Sequence, residues 1–510
     1  MCQVDEEYSE QLEKRTVPSV SQNCVKCKDG SAVLIIRAGD AFCRCCFKEY
    51  FVHKFRAMLG KNRVIFPGEK VLLAVSGGPA SSAMLSQVQE GLSRDAPKKL
   101  RFIPGILHID EGGACGQSLE ERERSTAQLE AIFRATGYPF HTVPLEQVFE
   151  LPSSVLEAAA SAPQRPDGSY KAAVDQFLQS AKARGSSSPG EGGPDGDPAV
   201  REAQVRLSRL ETRDAPNGPA RLGLGRSEDL GRLLSSVRTL TAKEDMLQTL
   251  RHHLMVHTAR THGYSKVMMG DSCSRLAVKL LSNIAQGRGA TLATDTGFSD
   301  PRYGDVVIIR PMRDYSSKEI AFYNKMFGVP SVFVPGLDTK ASDKASIPLL
   351  TESFVTKLQT DFPPPSAPST GPVRSYARST LKQKKPLPST PRWCLRGCLR
   401  SGSLGRPGRP SAGGAAPRGP AGRGLWSRRG HLLLLPHVSL GCGAPAPPDL
   451  RSLLCYSCRL TVKDMSAVDT LPPYIVSEAE HRSHRLRMKQ EISEFLLDEE
   501  EEDDDDEEAA

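Results

Sequence analysis

Val71-Leu72-Leu73-Ala74-Val75 is a run of five apolar residues that leads directly into Ser76-Gly77-Gly78-Pro79-Ala80-Ser81-Ser82. A short apolar run ending in a glycine turn reads as a strand buried on both faces, as in a parallel sheet. The stretch Ala83 to Leu92 reads as the helix that follows. Strand, Ser-Gly-Gly turn and helix is a geometry that aims backbone N–H groups and a positive helix end at a phosphate. Gly77 and Gly78 allow close approach, and the hydroxyls of Ser76, Ser81 and Ser82 are expected to cap the helix or donate to a ligand oxygen. The same turn also punctuates α/β folds that bind nothing there. The loop carries no charge, and Pro79 removes an N–H donor. Phosphate loops normally add a cation or a metal-binding acid.

The alternation around this stretch points to a doubly wound parallel sheet. Phe102 to Asp110 reads as a second strand, ending in the acidic turn Asp110-Glu111-Gly112-Gly113. A helix over 118–136 and a strand over Phe140 to Leu145 complete a βαβαβ unit. Ligands in such sheets bind at the carboxyl ends of the strands, which is where Asp110 falls. There it suits a ribose hydroxyl or a metal, or is a solvated turn acid. Further on, Ser265 to Gly270 and Val306 to Arg313 read as strands, with Arg310 and Arg313 placed to reach phosphate. Thr241-Ala242-Lys243-Glu244 reads as the capping box of a helix to Thr261. Its histidines, among them His252, His253 and His257, lack the acidic partner of a zinc-protease motif and suggest a surface or groove role.

Cys24-Val25-Lys26-Cys27, a short hairpin and Cys43-Arg44-Cys45-Cys46 have the spacing of a zinc knuckle or ribbon. The expected ligands are Cys24, Cys27, Cys43 and Cys46, with Cys45 as the alternative. Four thiolates leave no open position, so this zinc would build structure. Cys455-Tyr456-Ser457-Cys458 resembles half of another site, whose partners would be Cys394 and Cys398. Clustered cysteines of this kind are reduced metal ligands rather than disulfides. They fit the cytosol, as does an N-terminus without a basic and apolar leader. No apolar run has the length of a membrane span.

The net charge of +7 has to be divided before it means anything. Asp498 to Glu508 holds eleven carboxylates, while residues 371–430 hold fourteen Lys and Arg and no acid. The basic excess therefore sits in a low-complexity stretch and says little about a nucleic-acid groove on a folded domain. The expected organisation begins with a polar N-terminus (1–22), a zinc module with its linking helix (23–60) and the first half of the α/β domain (61–160). A Ser, Pro and Gly-rich insertion (161–235), the second half of the domain (236–345) and a low-complexity linker (346–450) follow. A C-terminal Cys-x2-Cys with a helix (451–497) and an acidic tail (498–510) end the chain.

Ser76-Gly77-Gly78 after a strand, Asp110 at a second strand end, Gly270 at a third, and Arg310-Pro311-Met312 with Lys318-Glu319-Ile320 together resemble the PP-loop ATPase family. The ordered set, with its N-terminal four-cysteine module, is most similar to the branch that thiolates tRNA. The resemblance implies an adenine nucleotide alpha hydrolase-like fold and a part in forming 2-thiouridine at the wobble position, U34. It implies ATP as the activating nucleotide, a ubiquitin-like modifier thiocarboxylate as sulfur source, and a heterodimer with a catalytic PP-loop subunit in the cytoplasm. Nucleotide contacts would fall to Ser76, Gly77, Gly78, Ser81, Ser82, Asp110 and Gly270.

Departures from the family pattern bear on what this chain contributes. Active loops read Ser-Gly-Gly-Lys-Asp-Ser, and here Pro79 and Ala80 replace the two charges. Gly270-Asp271-Ser272-Cys273-Ser274-Arg275 stands where active relatives have Gly-His-Asn-x-Asp-Asp. Cys115 and Cys273 do not match the catalytic cysteine positions. Stabilising a departing pyrophosphate is mainly electrostatic work, so the expected role is a non-catalytic subunit, with ATP bound chiefly by its partner. An active thiolase with an unusual loop, and a zinc-containing scaffold for the ubiquitin-like carrier, are the alternatives.

Overall fold

The computed structural model describes residues 23–36, 40–93, 99–156, 224–339, 341–361 and 456–493, with single positions at 174, 179, 450 and 454. A two-stranded antiparallel hairpin, β1 (Leu34–Ile35) with β2 (Ala41–Phe42), opens the described chain. The main sheet contains β3 (Lys70–Ala74), β4 (Ile103–Asp110), β5 (Phe140–Pro144), β6 (Lys266–Met269), β7 (Ser299–Asp300) and β8 (Val307–Ile309). Its strand order is β5-β4-β3-β6-β8-β7, and every pairing is parallel except β7 with β8. The expected doubly wound sheet is therefore present.

β3 lies at the centre, which explains its unbroken apolar run. Val71, Leu72 and Leu73 are wholly buried. Alternation sends Val71 and Leu73 into the core beneath helices α1 (Arg44–Asn62), α2 (Pro79–Leu92) and α3 (Leu119–Thr136), and Leu72 into the core on the other face. The chain builds outward from β3 through β4 to β5, then returns to β6 on the opposite side of β3. The direction of winding thus reverses between β3 and β6, the place where a sheet of this type forms its ligand crevice above the carboxyl ends of the strands.

Local chemistry sets most helix starts. Ser118 and Glu121 form a reciprocal capping box on α3. Two boundaries differ from expectation. α2 begins four residues earlier than the apolar pattern suggests, because Pro79 occupies the first helical position, where a missing N–H costs nothing. Helix α5 (Leu240–Thr261) is capped by Thr239, which accepts from Ala242 N, and not by Thr241. The Thr241 hydroxyl instead accepts from Ile347 N at 3.0 Å.

A second core forms beside the sheet, against Ile109 of β4 and Val143 of β5. Leu145 and Val148 meet α4 (Leu224–Ser236), α5, α10 (Tyr456–Lys463) and α11 (Pro473–Ser493) there. Two stretches read as irregular thus hold helices. α4 lies within the supposed 161–235 insertion and buries Leu230 and Leu233 completely. Helix α9 (Ile347–Asp361) lies within the supposed 346–450 linker, packs on α6 (Cys273–Ala285) and buries Val355. Short amphipathic helices between low-complexity stretches leave a weak periodic signal, and tertiary burial stabilises them.

The histidines of α5 also depart from expectation. His252 and His253 are buried, and His253 Nδ1 pairs with the Tyr474 hydroxyl at 2.7 Å. These two are core residues, His252 beside a small cavity lined by Lys279, Asp295 and Arg302, whereas His257 stays half-buried nearer the surface. Cys458 is buried among Leu454, Val462 and Met465 in the same core. Cys455, Cys394 and Cys398 lie outside the described residues. No helix among the described residues is long and apolar enough to cross a membrane.

Candidate functional site

The loop leaving β3 is folded tightly onto itself. Gly77 adopts φ +87°, and a Cβ there would come within 2.8 Å of Leu129 Cδ2. Its carbonyl accepts from Ser82 Oγ at 3.2 Å and from Val332 N at 3.0 Å. Ser81 Oγ donates to Gly78 O at 3.0 Å and lies 3.3 Å from Ser76 Oγ. Gly78 is the N-cap of α2 and makes no side-chain cap bond. The serine hydroxyls were expected to cap the helix or meet a ligand oxygen; Ser81 and Ser82 instead bond back to loop carbonyls. Gly270 supports the loop from β6. A Cβ at Gly270 would sit 2.9 Å from both Ser81 N and Ser81 Cα, so only glycine lets β6 end against the first turn of α2.

Asp110 does lie at the carboxyl end of β4, but its oxygens are engaged. Oδ1 accepts from Gly112 N at 2.9 Å and Oδ2 from Arg122 Nε at 2.8 Å. Arg122 also grips Glu146 with both terminal nitrogens, at 2.8 and 3.2 Å. Burial works against the charge on Arg122, yet Glu146 and Asp110 raise its pKa. The neighbouring Glu111 is held by Arg251 from α5. Arg122, Glu146 and Arg251 escaped the sequence reading because each reaches this turn from a different element.

The cations expected beside β8 are also committed. Arg310 is wholly buried, donating from Nε to Asp271 at 3.2 Å and from Nη1 to the carbonyls of Thr294 and Gly297, both at 3.2 Å. Its Nη2 stands 3.7 Å from Asp300, which Arg302 holds together with Asp295. Arg310 thus faces inward and cannot reach a phosphate in the crevice, contrary to expectation. Arg313 is partly buried.

Burial by itself would raise Asp271, Asp295 and Asp300, but their cations more than reverse it, and all three stay below the usual carboxylate range. Lys279 and Arg310 act on Asp271, Arg302 and Lys279 on Asp295, and Arg302 on Asp300. Depressed native pKa values stabilise the fold above the unfolded-state value of about 4, and that contribution disappears as pH falls through the lower native values. We expect urea-unfolding stability to drop steeply below about pH 4 and Arg302→Met to flatten that drop. An unchanged slope in the variant would remove this network as the cause.

Neither thiol near the crevice is poised for chemistry. Burial, then Glu111, pushes Cys115 up to about 11, so it is a neutral thiol at physiological pH. Cys273 is buried at the first position of α6.

The four N-terminal cysteines, in contrast, converge. One sulfur each from Cys24, Cys27, Cys43 and Cys46 lies within 4.8 Å of all the others, and Cys27 and Cys43 are 3.8 Å apart. A tetrahedron of metal–sulfur bonds of about 2.3 Å has edges of about 3.8 Å. A Cβ on Gly30 would lie 3.4 Å from Cys27 Sγ and 3.6 Å from Cys43 Sγ, so this glycine leaves room for the cluster. Burial would raise Cys24, yet the backbone N–H groups of Cys27, Cys43 and Lys26 bring it to about 6. Burial and hydrogen bonds with the other three sulfurs push Cys46 up to about 12. Four such sulfurs cannot share a site as thiolates without a cation among them, and the donor set suits a metal ion. Cys45, the alternative ligand, is exposed and outside the cluster.

No family model matches the chain. Among solved structures, the U34-tRNA thiolase from Methanococcus maripaludis with its 4Fe–4S cluster matches with a TM-score of 0.42 and 13% identity, over 71% of this chain and 89% of that one. Full-length relatives are much nearer. Cytoplasmic tRNA 2-thiolation protein 2 of Danio rerio is 54% identical over 520 residues, covering 98% of this chain and 99% of its own. The human protein of that name is 48% identical over 533 residues, with 98% of each chain covered. Identity at this level over nearly the whole length decides the matter: the chain belongs to the cytoplasmic tRNA 2-thiolation protein 2 family.

Proposed function

We propose that this chain is the non-catalytic subunit of a cytosolic complex that forms 2-thiouridine at the wobble position of tRNA. A catalytic PP-loop subunit would adenylate the uridine, and sulfur would come from the thiocarboxylate of a ubiquitin-like modifier. The observation that carries this reading is the state of the crevice above β3 and β6. Its loop is uncharged at Pro79 and Ala80, and Asp110, Glu111, Asp271 and Arg310 are each held by a partner within the chain. A departing pyrophosphate needs cations free to meet it. Ser76, Gly77, Gly78, Ser81, Ser82 and Gly270 would then keep the shape of the loop and its close contact with β6, with any ATP bound mainly by the partner.

In the N-terminal module Cys24, Cys27, Cys43 and Cys46 would hold one zinc ion, which closes the module and supplies no reactive position.

The test is reconstitution. Alone, the full chain should give no ATP–pyrophosphate exchange; mixed with the catalytic subunit, the modifier and tRNA, it should restore thiolation. Exchange by the lone chain would overturn the reading, as would full thiolation by the partner without it.

A further inference from the structure

The chain leaving α8 (Ser317–Phe327) runs without helix or strand past the loop that follows β3. Val332 donates its N–H to Gly77 O at 3.0 Å, which ties this strap to the loop, and Asn324 Nδ2, still within α8, donates to Pro79 O at 2.8 Å. Val332 and Val334 pack into the core beneath it. Phe333, between these two half-buried residues, points out. It is 77% exposed, more than any other large apolar side chain among the described residues. Pro330 and Pro335 bracket the segment and limit its backbone freedom. A phenyl ring held in water on a stiff strap, at the place where this fold type presents ligands, is suited to a flat apolar surface.

The charge nearby selects the kind of surface. Arg44, exposed at the start of α1, donates to Met326 O at 2.6 Å, and its guanidinium lies 5.5 Å from the centre of the Phe327 ring. Lys48 lies 5.8 Å from the same ring and pairs with Glu90 at 3.4 Å. Lys325 is exposed in the last turn of α8. Neither Arg44 nor Lys325 has a carboxylate partner among the described residues. Asn324 and Val332 bond to Pro79 and Gly77 of the same short loop, so Lys325 and Phe333, the residues that follow them, are held near one place, and Arg44 reaches Met326 beside Lys325. Cations flanking a projecting aromatic ring serve single-stranded nucleic acid, whose bases offer their faces; a duplex hides them.

We propose that Phe333 is a stacking platform for an unpaired base of an RNA strand, with Arg44 and Lys325 holding the adjoining phosphates. This rests on the reading that the chain serves an RNA substrate, and it names where that RNA is gripped. The probes are a stem–loop RNA with an unpaired loop and a continuous duplex of the same stem, each bound to the full-length chain. Phe333→Ala should weaken stem–loop binding about 5- to 150-fold and leave duplex binding unchanged, while Phe333→Tyr retains both. In Phe333→Trp, the loop RNA should quench the indole fluorescence and the duplex should not. Unchanged stem–loop affinity in Phe333→Ala, with the wild type binding normally, overturns the platform alone. Loss of the partner subunit instead of RNA reassigns the surface to protein and likewise overturns it. A wild-type chain that binds neither RNA overturns the RNA reading itself.

Discussion

Cys24→Ser should abolish metal binding and unravel residues 24–43 while leaving the sheet domain folded. The four sulfurs lie close enough for a single ion, and Cys24 is the most buried of them, at 1% exposure. Leu34, Ile36 and Phe42 reach the main core, but the module has little regular structure of its own. β1 and β2 are two residues each, and a two-stranded hairpin of that size does not stand alone. Binding of a structural zinc ion is worth about 10–16 kcal/mol in small zinc modules, most of which is folding free energy. α1 should survive, because its anchors are independent of the metal. Phe47, Phe51 and Phe55 are buried in the main core, and Phe51 stacks on Tyr323 with ring centres 4.0 Å apart. Tyr315 donates its hydroxyl to Phe51 O at 2.6 Å, and the buried Glu319 carboxylate accepts from Lys54 at 2.8 Å and Tyr50 at 3.0 Å. Elemental analysis should therefore show loss of the ion, limited proteolysis should open the 24–43 segment, and the main thermal transition should barely move. Cys45→Ser is the control and should retain its metal. Full metal content in Cys24→Ser would sink the assignment, and collapse of the whole domain would sink the claim that α1 docks without it.

The parts of this molecule visible in the sequence are those set by neighbours along the chain. The burial of β3 shows because both of its faces meet core, so no polar alternation interrupts Val71 to Leu73. The four-cysteine cluster shows because each pair is local and the hairpin between them is short. The start of α3 shows for the same reason, since its cap at Ser118 is local. The meaning of a charge does not show. Asp110 at a strand end looks available for a ligand until Arg122 arrives from α3, carrying Glu146 on its other side. Arg310 looks available for phosphate until Asp271 and the carbonyls of Thr294 and Gly297 turn it inward. The direction of the Ser81 and Ser82 hydroxyls is likewise decided by which acceptor lies nearer, and the nearest are carbonyls of their own loop. Pairings of this kind depend on elements brought together by topology, which periodicity and propensity do not encode.

Arg288→Ala should destabilise the chain by about 3–5 kcal/mol, because it leaves a buried carboxylate without its countercharge. Arg288, just beyond the end of α6, donates from Nη1 to Asp245 on α5 at 2.5 Å and from Nη2 to Thr461 on α10 at 3.2 Å. Thr461 in turn donates to the other Asp245 oxygen, and all three residues are buried. Three elements distant in sequence therefore meet at one carboxylate. α10 and α11, far along the chain from α5, join it here, and His253 with Tyr474 is another polar tie between them. If the cost arises from the unpaired charge, removing both charges should restore most of the stability, since apolar residues of similar volume often replace a buried ion pair without loss. Asp245→Leu with Arg288→Met should accordingly unfold near the wild-type urea midpoint, while Asp245→Leu alone leaves a buried guanidinium unpaired and should be as damaging as Arg288→Ala. A double-mutant cycle on urea midpoints measures the difference. Protease cleavage within 456–493 should come first in the single variants, because α10 loses its polar partner there. A double variant as unstable as either single one would mean that shape at this junction, not charge, holds the C-terminal helices in place.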